Sequence, residues 1–148
     1  MIKGVRLKKL LVHKDERGAV FEILRSDWKE FTGFGQTYIT VCQPGWVKGW
    51  HYHKKQTDNF CVVRGKARIV LCSPDEKTFM EFVLSAGEPS LLTIPARVIH
   101  GFECVSKDET WILNVPNRLY NYKKPDEHRM KLNDPTIPYK KWARKKGW

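Results

Sequence analysis

The residues best equipped for chemistry lie between positions 45 and 65. There His51 and His53 stand one residue apart, flanked by Trp50 and Tyr52, with Asp58 shortly after. Residues two apart on an extended strand share a face. His51 and His53 therefore look into one space, while Trp50 and Tyr52 face the other way, where core packing accounts for both rings. A neutral imidazole, with an ordinary pKa near ~6.5, can take a proton from carbon at neutral pH when the resulting anion is stabilised. A third histidine, His100, closes the segment Ile94-Pro95-Ala96-Arg97-Val98-Ile99-His100 and is followed by Gly101-Phe102. Three histidines and a carboxylate (His51, His53, Asp58, His100) are also a competent set for zinc, iron or manganese. The spacing leaves both chemistries open. His13 and His128 sit in polar stretches and read as surface residues.

The elements that must position these side chains read as strands. Residues 5–12, 19–24, 36–42, 60–63, 66–72, 78–84, 91–94, 100–105 and 110–115 are rich in β-branched, aromatic or alternating apolar residues. Turn signals separate them: Asp15-Glu16-Arg17-Gly18, Pro44-Gly45, the loop 73–77 and Gly87-Glu88-Pro89. Residues 26–30 suggest one helical turn with Ser26 as N-cap. No long segment carries a 3.6-residue period, so the pattern predicts an all-β sandwich or barrel. From Tyr120 onward the chain is polar and broken by Pro125, Pro135 and Pro138.

A chain of 148 residues fits one domain, taken here as 1–138, with a basic C-terminal tail at 139–148. No apolar run approaches the ~20 residues of a membrane helix, and the N-terminus has no signal-peptide pattern, so the expectation is a soluble cytoplasmic protein. Cys42, Cys61, Cys72 and Cys104 lack metal-type spacing and suggest buried free thiols. The net charge of +11 favours anionic partners. Five of the basic residues are Lys140, Lys141, Arg144, Lys145 and Lys146, which read as a solvated tail. Trp142 and Trp148 within it could stack nucleic-acid bases, although nothing else in the chain supports nucleic-acid binding.

The glycine, histidine and carboxylate spacing, together with the segment ending at His100, resembles the two motifs of the cupin family. That resemblance implies a jelly-roll β-barrel with an irregular or helical C-terminal segment, and a barrel mouth where His51, His53 and His100 converge. A closer resemblance covers about residues 15–142. Asp15-Glu16-Arg17-Gly18 with Glu22, Gly49-Trp50-His51-Tyr52, Gln56, Ile94-Pro95 with His100-Gly101-Phe102, and Asn133-Asp134-Pro135 fall in the order seen in dTDP-4-dehydrorhamnose 3,5-epimerases.

This resemblance implies a cofactor-free and metal-free isomerase acting on a dTDP-linked 4-keto-6-deoxy sugar in polysaccharide biosynthesis. His51 would be the base, and His100 and Lys48 would assist at the keto oxygen. Arg17 and Glu22 would hold the nucleotide, often from the partner of a homodimer. Gln36 and Gln56 would line the cavity. Several positions depart from the family pattern. Lys48 replaces an Arg, Asp58 replaces a Lys, and His53 replaces a Gln. Leu113 and Asn114 occupy the region of the family's acidic Tyr, which leaves the acid unassigned, with Tyr120 and Tyr122 nearby in sequence. An Asp partner for the base falls beyond Trp148. The His51-Tyr52-His53-Lys54-Lys55 segment also resembles related 3,4-ketoisomerases, in which His51 and His53 would shuttle protons on one side of the sugar. Asp58, Asn114 and Tyr122 complete the candidate substrate-binding set.

Overall fold

A computed structural model describes residues 1–73, 75 and 77–147. Thirteen strands form among them: β1 (Arg6–Lys9), β2 (Val12–Asp15), β3 (Gly18–Phe21), β4 (Tyr38–Cys42), β5 (Trp46–Tyr52), β6 (Asp58–Arg64), β7 (Lys66–Ser73), β8 (Thr78–Ser85), β9 (Ser90–Ile94), β10 (Ile99–Cys104), β11 (Thr110–Asn114), β12 (His128–Arg129) and β13 (Lys146–Gly147). One sheet has the order β1-β9-β6-β11-β4. The other runs β12-β5-β10-β7-β8, with β13 added in parallel to β5, and β2 and β3 form a separate ribbon. The main strands follow the sequence pattern closely. The first expected strand, 5–12, is instead divided at Leu10–Leu11, where the chain leaves the sheet to build the ribbon. The helical turn expected at 26–30 is a pair of turns, closed by Trp28 N to Arg25 O and Phe31 N to Trp28 O. The 73–77 loop includes positions 74 and 76, outside the described residues.

The two large sheets close on a shared apolar interior containing Phe60, Val62, Ile69, Leu71, Leu92, Ile94, Phe102 and Ile112. The near-continuous apolar run of β7 has a reason in this arrangement. Ile69 and Leu71 enter the interior, whereas Val70 and Cys72 join a second cluster on the outer face with Val47, Trp50 and Ile99. That outer face is covered by Leu132, Ile137, Tyr139 and Trp142. Tyr139 and Trp142 therefore anchor this segment to the sheet, while Lys140, Lys141, Arg144, Lys145 and Lys146 stay exposed as expected. Trp142 is completely buried with its ring centroid 4.6 Å from that of Trp50, so it offers no face to nucleic-acid bases. Trp148 lies outside the described residues. Two of the basic residues are also paired, Lys145 with Glu103 at 3.2 Å and Lys141 with Glu81 at 3.4 Å. Amphipathic alternation in a short irregular segment hid this packing among the lysines.

All four cysteines are buried free thiols. The C-terminal segment is irregular apart from β12 and β13. Among the described residues, no helix is long and apolar enough to cross a membrane.

Candidate active site

β5 and β10 lie side by side with His51 opposite His100, and a register shift follows between His100 and Phe102. Two glycines permit this approach. A Cβ on Gly101 would stand 2.9 Å from the Gly49 Cα and 3.0 Å from the Lys48 carbonyl oxygen, and one on Gly49 would stand 2.6 Å from the Gly101 Cα. The Gly-Trp-His and His-Gly-Phe segments are thus the two halves of one close crossing, which brings the His51 and His100 ring centroids to 4.1 Å. His53, just beyond the end of β5, lies 5.5 Å from His51 and 5.8 Å from His100 by ring centroids. As the period-2 reading predicts, Trp50 and Tyr52 pack on the opposite face, in the second apolar cluster. His128, expected at the surface, is half-buried and stacks on Tyr52 at 4.9 Å.

The histidines border a cavity of about 480 Å³. His51, His53 and Lys48 contribute from the β5 side, Gln56 and Phe60 from the start of β6, and Gln36, Tyr38 and Thr40 from β4 and the segment before it. Tyr120, Tyr122, Glu127 and Arg129 complete the rim from the C-terminal segment. Lys48 donates from Nζ to Thr40 Oγ1 at 2.7 Å and to the Val41 carbonyl at 3.4 Å. An ammonium has three donors, so one remains for the cavity. Gln36 Oε1 accepts from the Tyr120 amide at 3.3 Å, tying the C-terminal rim to the β4 side.

Asp58 lies beneath this surface, only 1% exposed. It receives Gln56 Nε2 and Asn114 Nδ2, each at 2.8 Å on Oδ1. Its Oδ2 faces His53 Nε2 at 3.2 Å and His100 Nε2 at 3.5 Å. Burial alone would raise the Asp58 pKa. The His53 hydrogen bond, the charge of the neighbouring imidazoles and the Asn114 donor outweigh it and hold the carboxyl down at about 2. His53 responds in the opposite sense. Burial favours its neutral form, but the Asp58 hydrogen bond and charge, with the Asp126 carbonyl, raise its pKa. Its Nδ1 meets the Asp126 backbone carbonyl, and its Nε2 meets Asp58 Oδ2 at 3.2 Å and the Gln56 amide nitrogen at 3.3 Å.

His51 differs. Burial, then the flanking His100 and His53, push its pKa well below the usual value, so it is a neutral imidazole at the cavity wall. His100 is also lowered, chiefly by burial. Its Nδ1 bonds the Val98 carbonyl at 3.0 Å, and its Nε2 has no hydrogen-bond partner among the described residues.

Of the residues singled out from sequence, His51, His53, Lys48, Gln36, Gln56 and Tyr122 border the cavity. His100, Asp58 and Asn114 stand behind that surface, with 1%, 1% and 0% exposure. They support the wall from behind its lining side chains. Arg17 and Glu22 are elsewhere. Arg17 bonds Asp15 on the β2–β3 ribbon at 2.6 Å, and Glu22 bonds Arg25 at 2.6 Å. Neither borders this chain's cavity, and they do not pair with each other. Tyr38, Thr40, Glu127 and Arg129 were missed. Tyr38 and Thr40 sit in an ordinary strand pattern, and only cross-strand register shows what they face. Glu127 and Arg129 lie in a stretch whose polarity gave no sign of a fixed path.

The family model for the polysaccharide biosynthesis C-terminal domain matches residues 13–128. Spore coat polysaccharide biosynthesis protein SpsL of Bacillus subtilis is 36% identical over 144 residues, covering 94% of this chain and 95% of that protein. The probable low-salt glycan biosynthesis epimerase Agl13 of Haloferax volcanii is 32% identical over 136 residues, covering 87% of each. Among solved structures, a dTDP sugar isomerase from Desulfovibrio desulfuricans superposes with a TM-score of 0.86 at 28% identity, over 96% of this chain and 92% of that one. A dTDP-6-deoxy-D-glucose-3,5-epimerase from Legionella pneumophila, solved with dTDP-4-keto-L-rhamnose, has a TM-score of 0.81 at 22% identity, over 95% and 79% of the two chains. The fold is thus the cupin jelly roll of the dTDP-sugar epimerases.

Proposed function

The chain belongs to the family of the polysaccharide biosynthesis C-terminal domain, with relatives that include a spore coat polysaccharide biosynthesis protein and a probable glycan biosynthesis epimerase, and from that premise we propose that it epimerises a dTDP-linked 4-keto-6-deoxy sugar at C3, C5 or both. The observation that carries this reading is the contrast between His51 and His53: one neutral imidazole open to the cavity beside one imidazole held between two acceptors. The 4-keto group acidifies the hydrogens on C3 and C5. His51 removes one of them, and the electron pair passes into an enolate. The free donor of Lys48 stabilises the charge that develops on the keto oxygen. Asp58 favours the protonated form of His53 beside the base, and the charge of that neighbour disfavours protonation of His51. Arg129 and Lys48 give the cavity positive charge suited to a diphosphate.

The same contrast weighs against a 3,4-ketoisomerase in which both histidines relay protons, because both His53 ring nitrogens are already engaged by protein partners. Incubation with dTDP-4-keto-6-deoxyglucose in heavy water separates the two. The epimerase reading expects deuterium at C3 or C5 with inversion and the keto group still at C4. A product with its keto group at C3 would replace it with the isomerase reading.

A metal-centred reading has its own observation. One nitrogen from each of His51, His53 and His100 lies within 4.8 Å of the others, and His100 Nε2 has no hydrogen-bond partner among the described residues. These three would hold a divalent ion, which would supply Lewis-acid polarisation of the ketone. His53 would have to exchange its Asp58 contact for the ion. Activity unchanged after exhaustive chelation, with metal content far below one per chain, supports the proton-transfer reading. Loss on chelation and recovery with one added metal contradicts it.

A further inference from the structure

Epimerisation needs a second group, which delivers a proton to the face opposite the base. Asn114 at the end of β11 is an amide and cannot serve. β11 pairs with β4 so that Asn114 lies directly opposite Tyr38. Tyr38 borders the same cavity as His51 but belongs to the facing sheet. We propose that the Tyr38 hydroxyl is the proton donor, reaching the sugar from the side opposite His51 and oriented for that task by Asn114. This rests on the epimerase reading above.

The hydrogen bonds define which way the phenol proton points. The Asn59 backbone N–H donates to Asn114 Oδ1 at 3.0 Å, and this fixes the amide orientation. Asn114 Nδ2 must then face the other way. It donates one hydrogen to Asp58 Oδ1 at 2.8 Å and the other to the Tyr38 oxygen at 2.9 Å. Tyr38 is therefore an acceptor on its β11 side, and its own O–H is left to donate into the cavity. Burial, followed by the Asp58 charge, raises the phenol pKa to about 12, so the group carries its proton at neutral pH.

The other two phenols at the rim lack such definition. Tyr120 and Tyr122 pack edge to face on each other, with centroids 5.0 Å apart, and Tyr122 is 90% exposed. Lys48 Nζ, held by Thr40 Oγ1 at 2.7 Å, is the donor assigned above to the keto oxygen.

The step balances without a further reagent. The C–H bond breaks toward His51, which becomes an imidazolium, and its electron pair becomes the enolate. The enolate carbon then takes the Tyr38 proton on its other face, forming a C–H bond of inverted configuration and leaving a phenolate. Proton return from His51 to Tyr38 through water resets the site.

Tyr38→Phe keeps the ring and removes only the donor. In heavy water with dTDP-4-keto-6-deoxyglucose, this variant should still exchange the His51-side hydrogen within about tenfold of the unmodified protein, because abstraction and return on one face need no second group. Inverted product should fall by about 10²-fold or more. A merely structural role would lower exchange and inversion together, and that result in a protein with an unchanged circular dichroism spectrum overturns the assignment. Inversion at the unmodified rate overturns it too, as does loss of inversion in Tyr120→Phe or Tyr122→Phe when Tyr38→Phe retains it. If the unmodified protein neither exchanges nor inverts this substrate, the epimerase reading fails and the Tyr38 assignment falls with it. An active protein with an unimpaired Tyr38→Phe variant removes the assignment alone.

Discussion

His51 and His53 are the same residue type two positions apart, and their surroundings move their pKa values in opposite directions. Because the His51 pKa is depressed, kcat/KM should stay level as pH falls through 6.5 and decline only in more acidic buffer. An acid limb centred at or above 6.5 would contradict the neutral-base assignment. Stability follows the same groups by linkage. The depressed Asp58 contributes fully above its ordinary carboxylate value, and its contribution is lost as pH falls from 3.8 toward about 2. The raised His53 contributes below 6.5 and loses its share as pH rises through its folded value. His51 and His100, both lowered, remove stability as pH drops below 6.5, because the unfolded chain takes up those protons first. Asp58→Asn should therefore cost about 3–5 kcal/mol at pH 6, since it breaks the buried His53–Asp58 pair. By urea denaturation, the gap to the unmodified protein should narrow toward pH 2. Sequence made His51 and His53 legible because a strand's two-residue period dictates a shared face. It could not show that Asp58 is a buried support for the histidines, because that depends on which strand lies alongside.

At the level of elements, the β5–β10 crossing sets the site and the C-terminal segment holds β5 from behind. Gly101→Ala should destabilise by roughly 1–3 kcal/mol through overpacking against the β5 backbone, and should lower kcat more than its thermal shift explains, because His100 and His51 move apart. Trp142→Ala empties a fully buried site and should cost about 3–5 kcal/mol. An unchanged denaturation midpoint would show that residues 139–147 are peripheral after all. The strands were readable from β-branched runs and turn residues. The covering role of Leu132, Ile137, Tyr139 and Trp142 was not, since isolated apolar residues among lysines and prolines carry no period.

For the whole molecule, Arg17 and Glu22 lie on or beside the β2–β3 ribbon and do not border their own chain's cavity; the homodimer that the sequence resemblance implies predicts that each ribbon serves the partner's site. Such an arrangement makes inactive variants complementary. Mixing Arg17→Ala with His51→Ala after subunit exchange should restore about a quarter of full activity, since half of the dimers are mixed and each carries one intact site. No recovery, or a monomer in sedimentation, would contradict the shared site. The central claim is simpler and is tested most directly at His51. With dTDP-4-keto-6-deoxyglucose in heavy water, followed by proton NMR, the unmodified protein should lose the C3 or C5 signal. His51→Asn should slow that loss by about 10²–10⁴-fold. Deuterium entry at the same rate in both proteins would show that His51 is not the base.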